Sequence, residues 1–163
     1  MEPSNAAQWV KWIPAKCNLF FWRAGLNRLP TIEALRRRNI NVEAAGCVLC
    51  DGPVESIDDI VAECLFTNGV WSGIASWCNI PPIFLFSVLD IHAIADSSGF
   101  SQPKKDILRG ILVITLWHIW NARNDIVFKK RKVSITQLIA DVKALSFLWF
   151  NSRCKGNDVK WEG

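Results

Sequence analysis

The chain has 163 residues, half of them hydrophobic and 21% charged, with a formal net charge of +4. That length fits one domain with a sizeable core, and that composition excludes a disordered chain. The mild net charge hides an asymmetry: no Lys or Arg occurs from Asn39 to Pro103, while Glu43, Asp51, Glu55, Asp58, Asp59, Glu63, Asp90 and Asp96 all lie there. The cations flank this acidic block, so faces of opposite sign are expected.

Taken in chain order, Trp9, Trp12 and Ile13 precede Pro14 and read as an extended arm ending at a turn. A helix is predicted over 16–29, with Cys17, Phe20, Phe21, Ala24 and Leu26 on its apolar face and Pro30 as its stop. Thr31 caps a second helix, anchored by Leu35 and loaded at its C-terminal end by Arg36, Arg37 and Arg38. Ser56 caps a third, ending near Cys64, and Thr67 a fourth through Val70, Trp71, Ile74 and Trp77, closed by Pro81 and Pro82. A short apolar helix comes next over 84–94, then a loop at 96–99. The longest helix runs over 101–128. Its apolar residues cover most of the circumference, which marks it as the central buried helix. Lys129, Lys130, Arg131 and Lys132 interrupt the pattern. Ser134 then caps a last helix with Ile135, Leu138, Ile139, Val142, Leu145 and Trp149 at helical spacing. The predicted class is all-α, a single compact helical domain with a small Cys knuckle and room for a short hairpin there.

The longest apolar stretch, 107–120, is interrupted by Arg109, Gly110, Thr115 and His118, and is too short and polar to span a membrane. Six cysteines without a signal peptide point to reduced thiols and an intracellular protein, nuclear or cytoplasmic and not secreted. Cys47 and Cys50 form a C-x-x-C with Gly52 just behind it, the spacing of a metal knuckle in which two thiolates turn inward on one bend. Cys64 is a third soft donor. No histidine lies between Cys47 and Cys64, so the fourth position of a tetrahedral zinc site is open.

An ordered set of residues carries a resemblance. It runs Trp12-x-Pro14, Phe20-Phe21-Trp22-Arg23, Asn27-Arg28-Leu29-Pro30-Thr31, Leu35-x-x-Arg38, Cys47-x-x-Cys50, Glu55-Ser56, Cys64 and Val70-Trp71. The set resembles the zinc-binding reverse-transcriptase domain at the C-terminal end of plant LINE-type (non-LTR) retrotransposon polyproteins. Ile119-Trp120-x-x-Arg123-Asn124-x-x-x-Phe128 and the stretch 139–149 resemble the segment C-terminal to that domain in those elements. The resemblance implies a flexible N-terminus over 1–8, the zinc-binding-like domain over 9–78, a helical extension over 79–154 and a polar tail over 155–163. It implies zinc held by Cys47, Cys50 and Cys64, with Asp59 at the position where the family carries histidine. A carboxylate can ligate zinc, and Asp58 and Glu55 are substitutes. It also implies a non-catalytic module whose partner is retroelement RNA or DNA, with no membrane and no small-molecule substrate.

Each reading has a plainer competitor. The three cysteines can be buried thiols, and Asp59 can serve only the first turn of the helix capped by Ser56. The domain is then a structural or protein-interaction unit that has lost its metal. Lys129, Lys130, Arg131 and Lys132, with Arg36, Arg37 and Arg38, are candidate phosphate contacts or a solvated face. His92 and His118 read as core residues, as do Cys17, Cys78 and Cys154, and Trp9, Trp12, Trp22 and Trp71 read as core instead of base-stacking groups. Ile57-Asp58-Asp59-Ile60 superficially resembles polymerase aspartates, but those hold two metals at a strand hairpin in a far larger domain.

Overall fold

The structure, a computed structural model, describes residues 9–26, 28–29, 64–129 and 132–153; within these residues it is helical, with no strand. The elements are α1 (Ala15–Gly25), α2 (Leu65–Cys78), α3 (Asp90–Asp96), α4 (Gln102–Lys129) and α5 (Ile135–Arg153). Over the described residues the all-α expectation holds. The second and third predicted helices, the hairpin at the knuckle and Cys154 lie outside the described residues.

The central helix is α4, as its pattern predicts. Every residue from 108 to 116 is buried, so this segment is surrounded on all sides. A helix enclosed this way needs apolar residues round its whole circumference, and it packs against α1, α2, α3 and α5. Two polar residues survive inside it because each has a partner. Thr115 Oγ1 donates back to the Ile111 carbonyl at 2.8 Å. The buried Arg109 guanidinium donates to Asp106 at 3.0 Å and to Asp96 at 2.7 Å. Asp96 is the last residue of α3, where a carboxylate opposes the helix dipole. The Arg109 charge offsets that and ties α3 to α4.

The N-terminal arm is fastened by two devices. Asn18, in α1, accepts from Val10 N–H and donates to the Val10 carbonyl, both at 2.9 Å. A buried side-chain amide thus replaces the strand partner that the arm lacks. Trp12 then lies across Gly110 of α4, its Nε1–H donating to the Asp106 carbonyl at 3.0 Å. A Cβ on Gly110 would overlap the Trp12 indole. The same ring meets Phe150 of α5 edge-on, with centroids 5.8 Å apart. On the other side of the bundle, Gly69 and Gly73 make a notch in α2 that receives Ile135 and Ile139 of α5.

Some boundaries differ from the sequence reading. Helix α1 ends at Gly25, four residues early, because Gly is a poor helix former and Leu26 leaves helical geometry (φ −89°, ψ 5°). Leu26 is exposed, not part of the apolar face. Helix α2 starts at Leu65 with extended Cys64 as its N-cap, and the Cys64 carbonyl takes the first helical bond from Asn68. Thr67, expected as the cap, is instead buried inside the helix. Asn79 closes α2 in the left-handed conformation (φ 58°), ahead of Pro81 and Pro82. The helix expected over 84–94 is only α3. Ile83 and Leu85 are buried while Phe84 and Phe86 are exposed, an alternation of period two that belongs to extended chain. Asp90 Oδ2 accepts from Phe86 and Ser87 N–H, fixing a turn before the helix. The last helix is capped as expected, with Gln137 N–H donating to Ser134 Oγ at 3.0 Å.

His118 and His92 are part of the packing. His118 Nδ1–H donates to the Ile114 carbonyl at 3.0 Å, which fixes its tautomer. Burial pushes its pKa below the ordinary value, against smaller raising effects from that hydrogen bond and from Asp141. His92 meets Phe21 edge-on at 5.3 Å.

This packing can be tested at two positions. Gly110→Ala is expected to destabilise the chain by about 1–3 kcal/mol through overpacking, although Ala is the better helix former. Urea denaturation measures this, and pairing the change with Trp12→Leu should recover part of the loss, because the two sites share one contact. His118 resists protonation when folded, whereas its unfolded form accepts a proton near pH ~6.5. The unfolded chain therefore binds more protons as pH falls through that value, and stability drops. Between pH ~7.5 and ~5.5, His118→Gln is expected to flatten the loss of stability seen for the parent in thermal melts; equal slopes would contradict it.

Candidate metal and nucleic-acid sites

Of the four candidate zinc ligands, the described residues include Cys64. It is 2% exposed and stands at the N-cap of α2. Its extended backbone (φ −76°, ψ 126°) leads into the helix. Cys47, Cys50 and Asp59 lie outside the described residues. The N-terminal end of a helix carries partial positive charge. Thr67 Oγ1, three residues later, is buried without a hydrogen-bond partner among the described residues. An available hydroxyl donor is the kind of group that outer-sphere partners of metal-bound sulfur supply. The donor chemistry at Cys64 therefore fits zinc.

The other described sulfurs and imidazoles do not form a competing centre. Among the described residues no three His, Cys, Asp or Glu come together as a metal-binding group. Burial pushes the Cys17 thiol up to about 11 and the Cys78 thiol up to about 12, partly opposed by Lys16 and Arg153 for the first and by Lys143 for the second. Both stay protonated at neutral pH, as core thiols do. Cys17 is fully buried, and Cys78 is half-buried.

The cationic candidates divide in the same way. Lys129 ends α4 and is exposed, with its Nζ 3.6 Å from Asp125 one turn earlier. Lys132 is exposed in the connection to α5. Lys130, Arg131, Arg36, Arg37 and Arg38 lie outside the described residues. The run at 129–132 does join two helices, as its sequence suggests, but its first member already shares its charge with an aspartate.

The tryptophans were only half legible. Trp12 and Trp71 are buried as expected, whereas Trp9 and Trp22 are exposed. Three polar residues with structural roles were missed: Asn18, Arg109 and Arg123. Arg123 is fully buried, with its guanidinium carbon 4.6 Å from the Trp120 ring centroid and Nη1 donating to Asn124 at 2.8 Å. The signal for the arginines was a cation inside a helix otherwise apolar on every face. For Asn18 it was a polar residue inside the apolar run of α1.

No described helix is long and apolar enough to cross a membrane. No curated protein and no solved structure matches the chain. Residues 2–71 match the family model for zinc-binding in reverse transcriptase. That span takes in the arm, α1, the Cys47–Cys50 knuckle, Asp59, Cys64 and the first half of α2, and stops before α3, α4 and α5. Over these residues the chain is similar to the zinc-binding region of reverse transcriptases.

Proposed function

We propose that this chain is a non-catalytic, zinc-supported module derived from a plant LINE-type retrotransposon reverse transcriptase, and that it binds nucleic acid. The observation that carries the reading is the family match over 2–71, which contains every proposed ligand. Cys47, Cys50 and Cys64 hold the metal, with Asp59 or water as the fourth donor. Zinc contributes a structural cross-link there. The chain's own part is to offer a buried sulfur at the start of α2, at the partially positive end of that helix. Such a link fastens the acidic segment to the bundle. The described bundle supports a scaffold role for 79–154, whose helices pack α4 against α1 and α2. Nuclear or cytoplasmic residence accords with unpaired thiols at Cys17 and Cys78.

The metal reading is tested on purified full chain, reduced and supplied with zinc. One zinc per chain is expected, and Cys64→Ser should lower both occupancy and melting temperature. A ratio near zero would overturn it and favour a metal-free interaction domain, the reading that Asp59 in the histidine position supports. Asp59→His is expected to tighten zinc and raise the melting temperature, since a ligand of the folded state stabilises it by mass action. The nucleic-acid reading is tested by titrating labelled single-stranded RNA and DNA at two salt concentrations. Weak, poorly selective and steeply salt-dependent binding is expected, and flat curves at the lower salt would reject it.

A further inference from the structure

Helix α1 is apolar on two faces. Cys17, Phe20, Phe21 and Ala24 are buried in the bundle. The opposite side carries Leu19, Trp22 and Leu26, which are 50%, 43% and 39% exposed. Leu19 and Trp22 fall at i and i+3 on one stripe of the helix surface, and Leu26 follows at the C-cap. Lys16 and Arg23 are exposed on the same side, at i−3 and i+4 of Leu19. A Trp costs free energy to leave in water, and a helix that only needed to pack would have placed polar residues here.

The charge along this part of the chain is of one sign. From Trp9 to Leu29 the chain carries Lys11, Lys16, Arg23 and Arg28 and no carboxylate. Arg153, at the end of α5, is near enough to bear on the Cys17 sulfur beside Lys16. The Lys16 ammonium lies 5.0 Å from the Trp117 ring centroid and 5.8 Å from that of Trp149, so it is held at the surface by two indoles. Trp9, at the start of the arm, is a second exposed indole, 56% accessible. Cations of the arm and α1 beside exposed aromatic faces match a polyanion that also offers flat π-systems. By contrast, Lys129 at the other cationic run has Asp125 within 3.6 Å.

We propose that the outer face of α1 is a single-stranded nucleic-acid interface: a base stacks on Trp22, and Arg23 and Lys16 take the adjoining phosphates. This rests on the nucleic-acid reading above and relocates its contact surface from 129–132 to α1. The stripe from Lys16 to Leu26 spans about 15 Å at the helical rise, room for a short run of nucleotides. Stacking tolerates any base, so the interface selects single strands without reading sequence. A duplex, whose bases are already stacked on one another, gains only the phosphate contacts.

The test uses the full chain and labelled single-stranded RNA, single-stranded DNA and a duplex of equal length, titrated at two salt concentrations. Trp22→Ala is expected to weaken single-strand binding about 5- to 150-fold, the loss of one base stack, and Trp22→Phe to recover part of it. Arg23→Gln is expected to reduce the salt slope by about 0.7, one phosphate on a single strand. Both residues are exposed, so unchanged melting temperatures check that the fold is intact. Stronger binding of one of the two single strands identifies the natural ligand class and supports the interface equally. If the parent binds but Trp22→Ala and Arg23→Gln bind like it, while neutralising Lys129, Lys130, Arg131 and Lys132 to Gln abolishes binding, the α1 interface is wrong and the nucleic-acid reading stands. If the parent binds neither strand at the lower salt, both fail. A duplex bound as tightly as the single strands also overturns the stacking role of Trp22.

Discussion

The seat of Trp12 against Gly110 holds the bundle together. One indole makes three contacts on two helices: its edge fills the space a Cβ would take at Gly110 of α4, its N–H meets the Asp106 carbonyl of the same helix, and its ring meets Phe150 of α5. The approach works only because position 110 has no side chain. Gly within a buried helix is usually a liability of about 1 kcal/mol; here it permits burial of a residue whose truncation would cost about 3–5 kcal/mol. The arm must arrive in the right register for this contact. Asn18 sets that register by bonding both polar groups of Val10.

The same junction explains where charge is tolerated inside. Asp106 serves Trp12 with its carbonyl and Arg109 with its carboxylate, and Arg109 reaches on to Asp96. Desolvating a guanidinium is expensive unless its donors are used. The two aspartates are themselves largely exposed, so the cluster keeps its acidic ends in water while the cation is enclosed. Arg123 takes another route, stacking on Trp120 one turn from its own Cα.

Cys64 caps α2, and Cys47, Cys50 and Asp59 precede it in the sequence. A metal there would act at the start of α2, the helix whose glycine notch receives Ile135 and Ile139 of α5. The basic residues of the arm and α1 lie before the acidic segment in the chain. From 9 to 29 the chain carries cations and no carboxylate.

The sequence by itself determined the helical class, the central position of α4, the Ser134 cap and the C-x-x-C with a third cysteine. Each of these is local: a period of 3.6 residues, a hydroxyl before an apolar run, or a fixed spacing of thiols. The extended alternation of Ile83 to Phe86 was equally local but was misread as helix, because a short apolar run fits both periods. Tertiary structure alone decided the rest. Whether Trp22 is buried depends on which side of α1 meets the bundle, and whether Trp12 is buried depends on where the arm crosses α4. The need for Gly at 110 arises from a ring 98 positions earlier. The start of α2 at Cys64 instead of Thr67 reflects burial of the threonine against the bundle. Contacts between residues far apart in the chain leave no periodic trace, so these features could be read only once the helices were packed.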